Sequence, residues 1–299
     1  MNSLGVSVLI PVYNCDVRAL VHALRQQALA QPIPVELLCW EDASDPAFLS
    51  WNAELSALAG VNYRVLGENL GRARIRNQLA AAAVYDYLLF MDGDSAVIRP
   101  DYLKTYIDQL SPERLLYGGR AYQAERPADP DLVFHWQYGR KREVQPPEVR
   151  QQRPYHSFMT NNFLVPKALF MPIQFDTRLS QYGHEDTLFG MELQQRAIPI
   201  RHLDNPLRHD GLEPAAVFLR KSEKAIQNLA FLAKAGLPID TRLLRVYRWL
   251  EHRRLTGLFR VGLSQMRGAM YRHLQKSGRP SLKVFDLYKL GLLLLYLRR

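Results

Sequence analysis

The stretch Tyr87-Leu-Leu-Phe-Met-Asp-Gly-Asp94 decides the fold, because an apolar run that suits a buried strand ends abruptly in two carboxylates around a glycine. Two earlier stretches have the same form. VSVLIP (6–11) runs into Tyr13-Asn14, and VELLCW (35–40) runs into Glu41-Asp42. Ligands of parallel α/β sheets bind outside the carboxyl ends of the strands, so these three polar strand ends predict a binding crevice.

Segments with helical spacing separate these strands, which predicts βαβ units and an α/β fold with a mostly parallel sheet. The predicted strands are residues 6–11, 35–40, 61–66, 87–91, 163–165 and 198–203, the last of these being the final strand. The predicted helices are residues 17–30, 46–59, 71–83, 184–197 and 214–235. Residues 125–154, rich in Pro and charged side chains, are predicted to form a long connection.

The distribution of charge predicts the domain organisation. The chain has 299 residues, of which 47% are apolar and 23% charged, as in globular proteins. Residues 1–240 hold 25 Lys/Arg and 27 Asp/Glu, whereas residues 241–299 hold 14 Lys/Arg and only two acids. A main domain that coats nucleic acid would be basic, so no nucleic-acid partner is expected. We predict one α/β domain over 1–240 and a basic, amphipathic helical tail over 241–299.

Cysteine content and apolar runs bear on the compartment. The two cysteines, Cys15 and Cys39, cannot build a disulfide scaffold or a four-thiolate zinc site, and such scarcity is typical of a reducing cytoplasm. The first residues have neither the basic region nor the apolar run of a secretory signal. The apolar run at residues 290–297 is shorter than the roughly 20 residues that span a bilayer. The expected location is cytoplasmic.

Three groups of side chains carry candidate chemistry. Asp92 and Asp94 either suit a divalent cation that holds a phosphate or form a solvated turn. Glu185 and Asp186 stand at the predicted start of a helix, where the dipole favours acids, and one of them is alternatively a general base facing the crevice. His209 is either a structural histidine or the nitrogen ligand of a carboxylate–imidazole site that suits Mn²⁺.

The order of these motifs resembles the family 2 glycosyltransferases, the inverting enzymes with the GT-A fold. The similar segments are VSVLIPVYN (6–14), Glu41-Asp42, ENLGRARIRNQLA (68–80), LLFMDGDS (88–95), TNNFLVPK (160–167), YGHEDTLFG (182–190) and His209. The His-Glu-Asp sequence at 184–186 is most similar to bacterial members. The resemblance implies a Rossmann-like, nucleotide-binding GT-A domain with a mixed, mostly parallel sheet, followed by a C-terminal helical extension.

Most of the matching residues would contact the nucleotide of a nucleotide-sugar, usually UDP. The resemblance implies that the nucleobase and ribose are held by the ends of the first two strands, at Pro11, Val12, Tyr13 and Asp42. It implies that the nucleotide pocket is also lined by Gly71, Arg76, Asp92 and Gly93, with Asp92 beside the ribose. Ile75 stands where the family usually has Ala.

The remaining matches imply the chemistry. Asp94 and His209 would bind Mn²⁺ or Mg²⁺, which neutralises the charge that develops on the departing nucleoside diphosphate. Asp186 would take the proton from an acceptor hydroxyl as that oxygen attacks C1 in line and inverts the anomeric centre. Glu185 would orient the acceptor or the donor sugar.

Two other functions stay open. A sugar nucleotidyltransferase uses a related sheet, although the first strand here ends in PVYN and not in a Gly-rich phosphate loop. The other alternative is a membrane-surface protein that binds a nucleotide-sugar without catalysis.

The basic tail has two interpretations. It contains a helical pattern over 255–274 with flanking arginines, and a strongly apolar stretch over 282–297. Such a segment either lies on an anionic membrane surface, here the inner face of the plasma membrane, or packs on the catalytic domain or a second subunit. A membrane position agrees with a lipid-linked or envelope-glycan acceptor, as in cell-envelope polysaccharide synthesis.

Overall fold

The computed structural model describes residues 4–177, 183–237, 239–276 and 278–298. The described chain divides into two compact units. The first comprises residues 4–123, 143–177 and 185–211, and the second comprises the other described residues, from 124–142, 183–184 and 212–298. This division differs from the predicted boundary at residue 240, because 124–142 and 212–237 group with the C-terminal helices. The boundary at residue 240 stays a prediction about domain organisation.

The strands all belong to the first unit. In chain order they are β1 (Val6–Val12), β2 (Val35–Glu41), β3 (Val61–Val65), β4 (Tyr87–Met91), β5 (Ser95–Val97), β6 (Leu115–Tyr117), β7 (Arg120–Ala121), β8 (Asn162–Pro166), β9 (Ile200–His202) and β10 (Leu207–His209). Seven of them form a sheet in the order β3-β2-β1-β4-β8-β6-β9. Strands β3, β2, β1 and β4 are mutually parallel, β8 is antiparallel to both of its neighbours, and β6 and β9 are parallel. The predicted α/β fold with a mixed, mostly parallel sheet is confirmed.

The helices lie between and after these strands. In chain order they are α1 (Arg18–Ala28), α2 (Pro46–Asn52), α3 (Arg72–Ala82), α4 (Tyr102–Ile107), α5 (Val133–Tyr138), α6 (Pro147–Gln151), α7 (Lys167–Phe170), α8 (Glu185–Gln195), α9 (Ala215–Lys234), α10 (Arg242–His252), α11 (Thr256–Lys276) and α12 (Leu282–Tyr296). The predicted helix over 46–59 is divided into α2 and a 3₁₀ turn, Ala53–Ala57. The predicted long connection over 125–154 contains α5 and α6.

The central strands are buried on both faces. Side chains of a strand alternate between its two faces, and here each face has its own apolar core. Val8 and Ile10 of β1 pack into one core together with Leu89 of β4, whereas Leu9 and Phe90 pack into the other. A strand buried on both sides needs a continuous apolar sequence, which is why VSVLIP and YLLFM were recognisable.

A second, three-stranded sheet in the order β5-β10-β7 organises the candidate site. Ser95 of β5 pairs with His209 of β10, and Leu207 of β10 pairs with Arg120 of β7. The register therefore places Asp94, His209 and Arg120 at neighbouring positions. The prediction that residues 198–203 form the final strand was wrong, because β10 follows; strands of two or three residues are too short to show a periodic pattern.

The second unit consists of helices. Helix α12 packs on α9 and α11, and its long apolar run, Leu290 to Leu294, is buried. Phe134 of α5 stands edge-on to Phe218 of α9 and to Phe285 of α12, with ring centroids 5.3 and 5.0 Å away. The predicted C-terminal helical extension is confirmed. Within the described residues, none of the helices combines the length and the apolar character that a membrane span requires.

Candidate active site

The ends of β1 and β2 are joined by hydrogen bonds. The Asp42 N–H donates to the Val12 carbonyl at 2.7 Å, which keeps the two strand ends side by side. The Asp42 carboxylate accepts from the backbone N–H groups of Leu70 (2.6 Å) and Gly71 (3.0 Å). Gly71 has a φ of +79°, which glycine adopts without steric cost, and it directly precedes α3. Asp42 therefore anchors the start of α3 to β2, a role that the sequence did not show; its nucleotide contact stays a prediction.

Asp92 is the centre of a cluster of guanidinium groups. Its Oδ1 lies 2.5 Å from Arg76 Nη2 and 3.6 Å from Arg72 Nη2, and its Oδ2 lies 3.3 Å from Arg120 Nη2. Arg76 is fully buried, with its guanidinium 5.5 Å from the centre of the Phe175 ring. The burial of the Arg76 guanidinium is tolerated because its charge is paired with Asp92.

Arg120 is a site residue that the sequence analysis missed. Its Nη1 lies 3.1 Å from Glu143 Oε2, and the Tyr122 hydroxyl donates to the same carboxylate. The Tyr122 ring stands edge-on to the His209 imidazole, with centroids 5.4 Å apart. A chain of contacts therefore runs from Asp92 to His209. Arg120 lies on a two-residue strand outside the acidic motifs, so no pattern in the sequence marked it.

Asp94 and His209 lie side by side. Asp94 Oδ1 is 3.3 Å from His209 Nδ1, and a Cβ built on Gly211 would lie 2.9 Å from Asp94 Cγ, so position 211 must be glycine to admit the carboxylate. Burial acts to raise the pKa of Asp94, but contact with His209, and the charges of Arg120 and Arg72, outweigh it and hold the pKa well below its usual range. Asp94 is therefore an anion.

The donor set at Asp94 and His209 consists of one carboxylate and one imidazole. Across the described ranges, no three His, Cys, Asp or Glu side chains are grouped as a metal site. Mg²⁺ and related ions are commonly held by one or two protein ligands together with substrate phosphates and water. A pair of this composition fits a divalent cation that arrives with a diphosphate.

Gly93 joins the acidic turn to the end of β1. A Cβ on Gly93 would lie 3.1 Å from the Pro11 carbonyl oxygen and 3.8 Å from Val12 Cα, so the turn packs on this strand end. Cys15 Sγ is 3.6 Å from the Gly93 carbonyl oxygen, and burial raises the pKa of Cys15 to about 12, which keeps the thiol neutral. Tyr13 is 58% exposed. A neutral thiol beside the turn is not a nucleophile at physiological pH.

Helix α8 begins with Glu185 and Asp186, and the two carboxyl groups have different surroundings. Asp186 Oδ1 accepts from the Thr160 backbone N–H at 3.2 Å and from the Thr160 hydroxyl. Burial raises the pKa of Glu185, while the positive charge of Arg72 opposes the rise and Asp92 contributes to it. The charges around Asp92 therefore influence the pKa of Glu185, whereas hydrogen bonds from Thr160 hold Asp186 in place.

The sequence Thr160-Asn161-Asn162 links these parts. The Asn161 carbonyl accepts from the Asp92 N–H at 3.2 Å, next to the Thr160 that holds Asp186. The fully buried Asn162 side chain makes four hydrogen bonds, accepting from Tyr102 OH (2.7 Å) and Tyr106 OH (2.8 Å) and donating to the carbonyls of Gly119 (2.8 Å) and Asn205 (2.9 Å). This segment therefore ties β4, β7, β10 and α8 to one another.

All twelve residues predicted for the site belong to the first unit; Tyr182, in the YGHEDTLFG segment, lies outside the described residues. A sequence profile described as "Glycosyl transferase family 2" matches residues 7–165, more than half of the chain. The chain belongs to glycosyl transferase family 2. As a member of this family, the protein is a glycosyltransferase with a GT-A-like fold.

Solved structures of S. aureus TarS share the fold of this glycosyltransferase. A TarS structure is 19% identical with a TM-score of 0.53, covering 80% of this chain and 41% of the TarS chain. The structure of TarS 1-349 is 19% identical with a TM-score of 0.51, and that of TarS 1-349 in complex with UDP is 19% identical with a TM-score of 0.52. Each covers 96% of this chain and 90% of the TarS chain. This family 2 chain thus spans about two-fifths of the longer TarS chain, and no curated protein sequence matches it.

Proposed function

We propose that this family 2 glycosyltransferase moves a sugar from a nucleotide-sugar, with UDP as the nucleotide, to a glycan or lipid-linked acceptor, with inversion at the anomeric carbon. The observation that carries the proposal is the Asp94–His209 pair beside the arginine cluster of Asp92. The choice of UDP is supported by a structure of the same fold that holds UDP. The His184-Glu185-Asp186 motif favours the bacterial members of the family.

Buried arginines supply donors for the nucleotide. Within the described residues, the Nε atoms of Arg76 and Arg120 are buried and lack a hydrogen-bond partner. Buried donors are normally satisfied, so two such atoms on arginines that flank Asp92 are consistent with an anionic ligand that supplies the acceptors. In this proposal the ribose lies beside Asp92, and the base lies near Tyr13 and Asp42.

Asp94 and His209 are the residues that would hold Mn²⁺ or Mg²⁺ together with the diphosphate. The bound cation would neutralise the negative charge that develops as the nucleoside diphosphate leaves. Asp94 is suited to this role because its carboxyl is ionised and because Gly211 leaves room for it.

Asp186 is the proposed base. Thr160 holds its Oδ1 through two hydrogen bonds, and among the described residues its Oδ2 accepts none. The free oxygen can therefore take the proton from an acceptor hydroxyl as the hydroxyl oxygen bonds to C1 and the C1–O bond to the diphosphate breaks. Glu185, whose pKa is raised by burial, is proposed to orient the acceptor or the donor sugar.

The proposal also covers location. We propose that the enzyme works in the cytoplasm, at the inner face of the plasma membrane, in cell-envelope polysaccharide synthesis, with residues 241–299 making the peripheral membrane contact. The basic charge of this segment supports the contact, since it holds 14 Lys/Arg and two acids.

The test combines UDP calorimetry with UDP-sugar hydrolysis in the presence of Mn²⁺. We expect Asp186→Asn to keep the affinity for UDP while hydrolysis falls about 10²–10⁴-fold, because general-base assistance is lost. We expect Asp94→Ala to weaken UDP binding with Mn²⁺ but not with a chelator present. Asp108→Asn, an exposed aspartate paired with Lys104, is the matched control and should change neither property.

Three outcomes would contradict the proposal. An Asp186→Asn protein with unchanged turnover would exclude Asp186 as the general base. An affinity for UDP that is the same with and without Mn²⁺ would exclude the proposed metal site at Asp94 and His209. Binding of nucleotide-sugars without any hydrolysis or transfer would favour the non-catalytic binding protein.

A further inference from the structure

Helices α10 and α11 carry several large apolar side chains that are exposed. The large exposed apolar side chains are Val246 and Trp249 of α10 and Leu258, Phe259, Val261 and Met266 of α11, and together they are named the α10–α11 face. Leu258 is 71% exposed, Val261 54% and Trp249 53%. Isolated exposed apolar residues are common on protein surfaces, but a run of six within 21 residues is not a random scatter.

The spacing along α11 separates two residues of this face, Leu258 and Val261, from the packed side of the helix. Leu263, Met270 and Leu274 are the buried residues, and their separations of seven and four residues put them on one stripe. Leu258 and Val261 are three residues apart and so lie next to each other, outside that stripe. Leu258 and Val261 are therefore separate from the packed stripe, whereas Phe259 and Met266 lie three or four residues from Leu263 and adjoin the stripe.

The segment that carries the α10–α11 face is rich in basic side chains. Residues 241–276 contain nine Lys/Arg and a single acid, Glu251. Within the described part of the chain, Arg254, Arg260 and Arg272 form no ion pair, and the guanidinium of Arg253 lies over the Trp249 ring, 5.6 Å from its centre. The positive charge is therefore available to an external anion.

Most apolar residues of α12, in contrast, are buried. The stretch 282–297 was expected either to lie on the membrane or to pack, and in the structure it packs: Leu292, Leu293 and Leu294 are all buried. The large exposed apolar side chains of the tail therefore lie mainly on α10 and α11, and Leu287, 42% exposed, is the one on α12 in the described chain.

We propose that the α10–α11 face docks on the surface of an anionic lipid bilayer, with Trp249, Leu258 and Val261 at the level of the lipid headgroups and the arginines against the lipid phosphates. Apolar side chains on one side with flanking Lys/Arg characterise helices that lie in the membrane interface, where Trp is a preferred residue. The charge decides the partner, because a second copy of this chain would bring the same nine basic residues against the first. The inference rests on the membrane contact proposed above for residues 241–299 and assigns that contact to this face; it does not depend on the proposed reaction.

The test is flotation of the full-length protein with vesicles, one set of phosphatidylcholine alone and one of phosphatidylcholine and phosphatidylglycerol in equal parts. We expect binding to the second set only, and loss of that binding at high salt. Leu258→Glu should reduce the affinity about tenfold or more, because it replaces an apolar contact with a negative charge. Arg254→Gln should reduce it about fivefold, as expected for one charge near the surface.

The matched control is Leu29→Glu, since Leu29 is an equally exposed leucine (75%) that lies outside the face. It should float like the wild type, and circular dichroism should show both variants folded. The proposal is overturned if the wild type does not bind vesicles that contain phosphatidylglycerol, or if Leu258→Glu binds them as well as Leu29→Glu does. It is also overturned if light scattering shows a dimer that Leu258→Glu dissociates while no variant binds vesicles. Hydrolysis of a UDP-sugar, measured without vesicles, reports on the proposed function separately.

Discussion

Replacing Arg76 with methionine tests the charge cluster on which the candidate site is built. Arg76 is fully buried, and its Nη2 lies 2.5 Å from Asp92 Oδ1. Removing one partner of a buried pair typically costs about 3–5 kcal/mol, because the other charge stays buried. Asp92 keeps Arg120 at 3.3 Å and Arg72 at 3.6 Å, so we expect the lower end of that range, about 3 kcal/mol.

The coupling between the two residues is the decisive quantity. We expect Asp92→Asn to cost about 2 kcal/mol, because it leaves Arg76 buried without an anion. The double variant Arg76→Met/Asp92→Asn removes both charges together, so its loss should be smaller than the sum of the single losses by about 1–2 kcal/mol. Urea unfolding measures each free energy, provided that the slope of the transition is unchanged.

A second ion pair provides the control for this cycle. Arg18 lies 2.7 Å from Asp16, but both side chains are more than one-third exposed. Arg18→Met should therefore change the free energy of unfolding much less than Arg76→Met does. The reasoning is refuted if Arg76→Met costs no more than Arg18→Met, or if the two single losses simply add in the double variant.

Three further substitutions probe other parts of the site. Thr160→Val removes the hydroxyl that holds the proposed base and should lower kcat about 10–100-fold with little change in KM for the donor. Thr160→Ser should restore kcat, and an unchanged kcat in Thr160→Val would exclude the positioning role of Thr160. Gly211→Ala should displace the Asp94 carboxylate and weaken Mn²⁺-dependent UDP binding. The control is Gly257→Ala, which has free space around its Cβ and should leave UDP binding unchanged. Equal calorimetric affinities of the two variants for UDP would disprove the steric argument. Asn162→Leu removes four buried hydrogen bonds and should lower the free energy of unfolding by about 3–5 kcal/mol. A urea midpoint near that of the wild type would contradict the network.

The central sheet could be predicted because its strands are buried on both faces. VSVLIP, VELLCW and YLLFM are continuous apolar runs, and each corresponds to an observed strand, β1, β2 and β4. The short strands β5, β7 and β10 could not be predicted in this way. Their residues are held by register and by backbone hydrogen bonds between distant segments, which leave no periodic pattern in the local sequence.

The acidic residues of the site could be predicted for a related reason. A carboxylate directly after an apolar strand is expensive unless something pairs with it, and Asp92 is indeed paired, with arginines. The partners were harder to find. Arg120 and Thr160 come from other segments, and only the three-dimensional arrangement brings them to Asp92 and Asp186.

The tail shows the limit of composition as evidence. The stretch 282–297 was expected either to lie on a membrane or to pack, and the structure shows most of it buried, whereas six large apolar side chains of α10 and α11 are exposed. Which of two apolar helices is buried depends on neighbours that are distant in sequence, such as α9 beside α12.

A crystal structure of the protein with UDP and Mn²⁺ tests the central claim most directly. The account predicts electron density for the cation in contact with both Asp94 and His209, the diphosphate on the same cation, and the ribose beside Asp92. Nucleotide bound away from these three residues, or a cation held by other side chains, would contradict it.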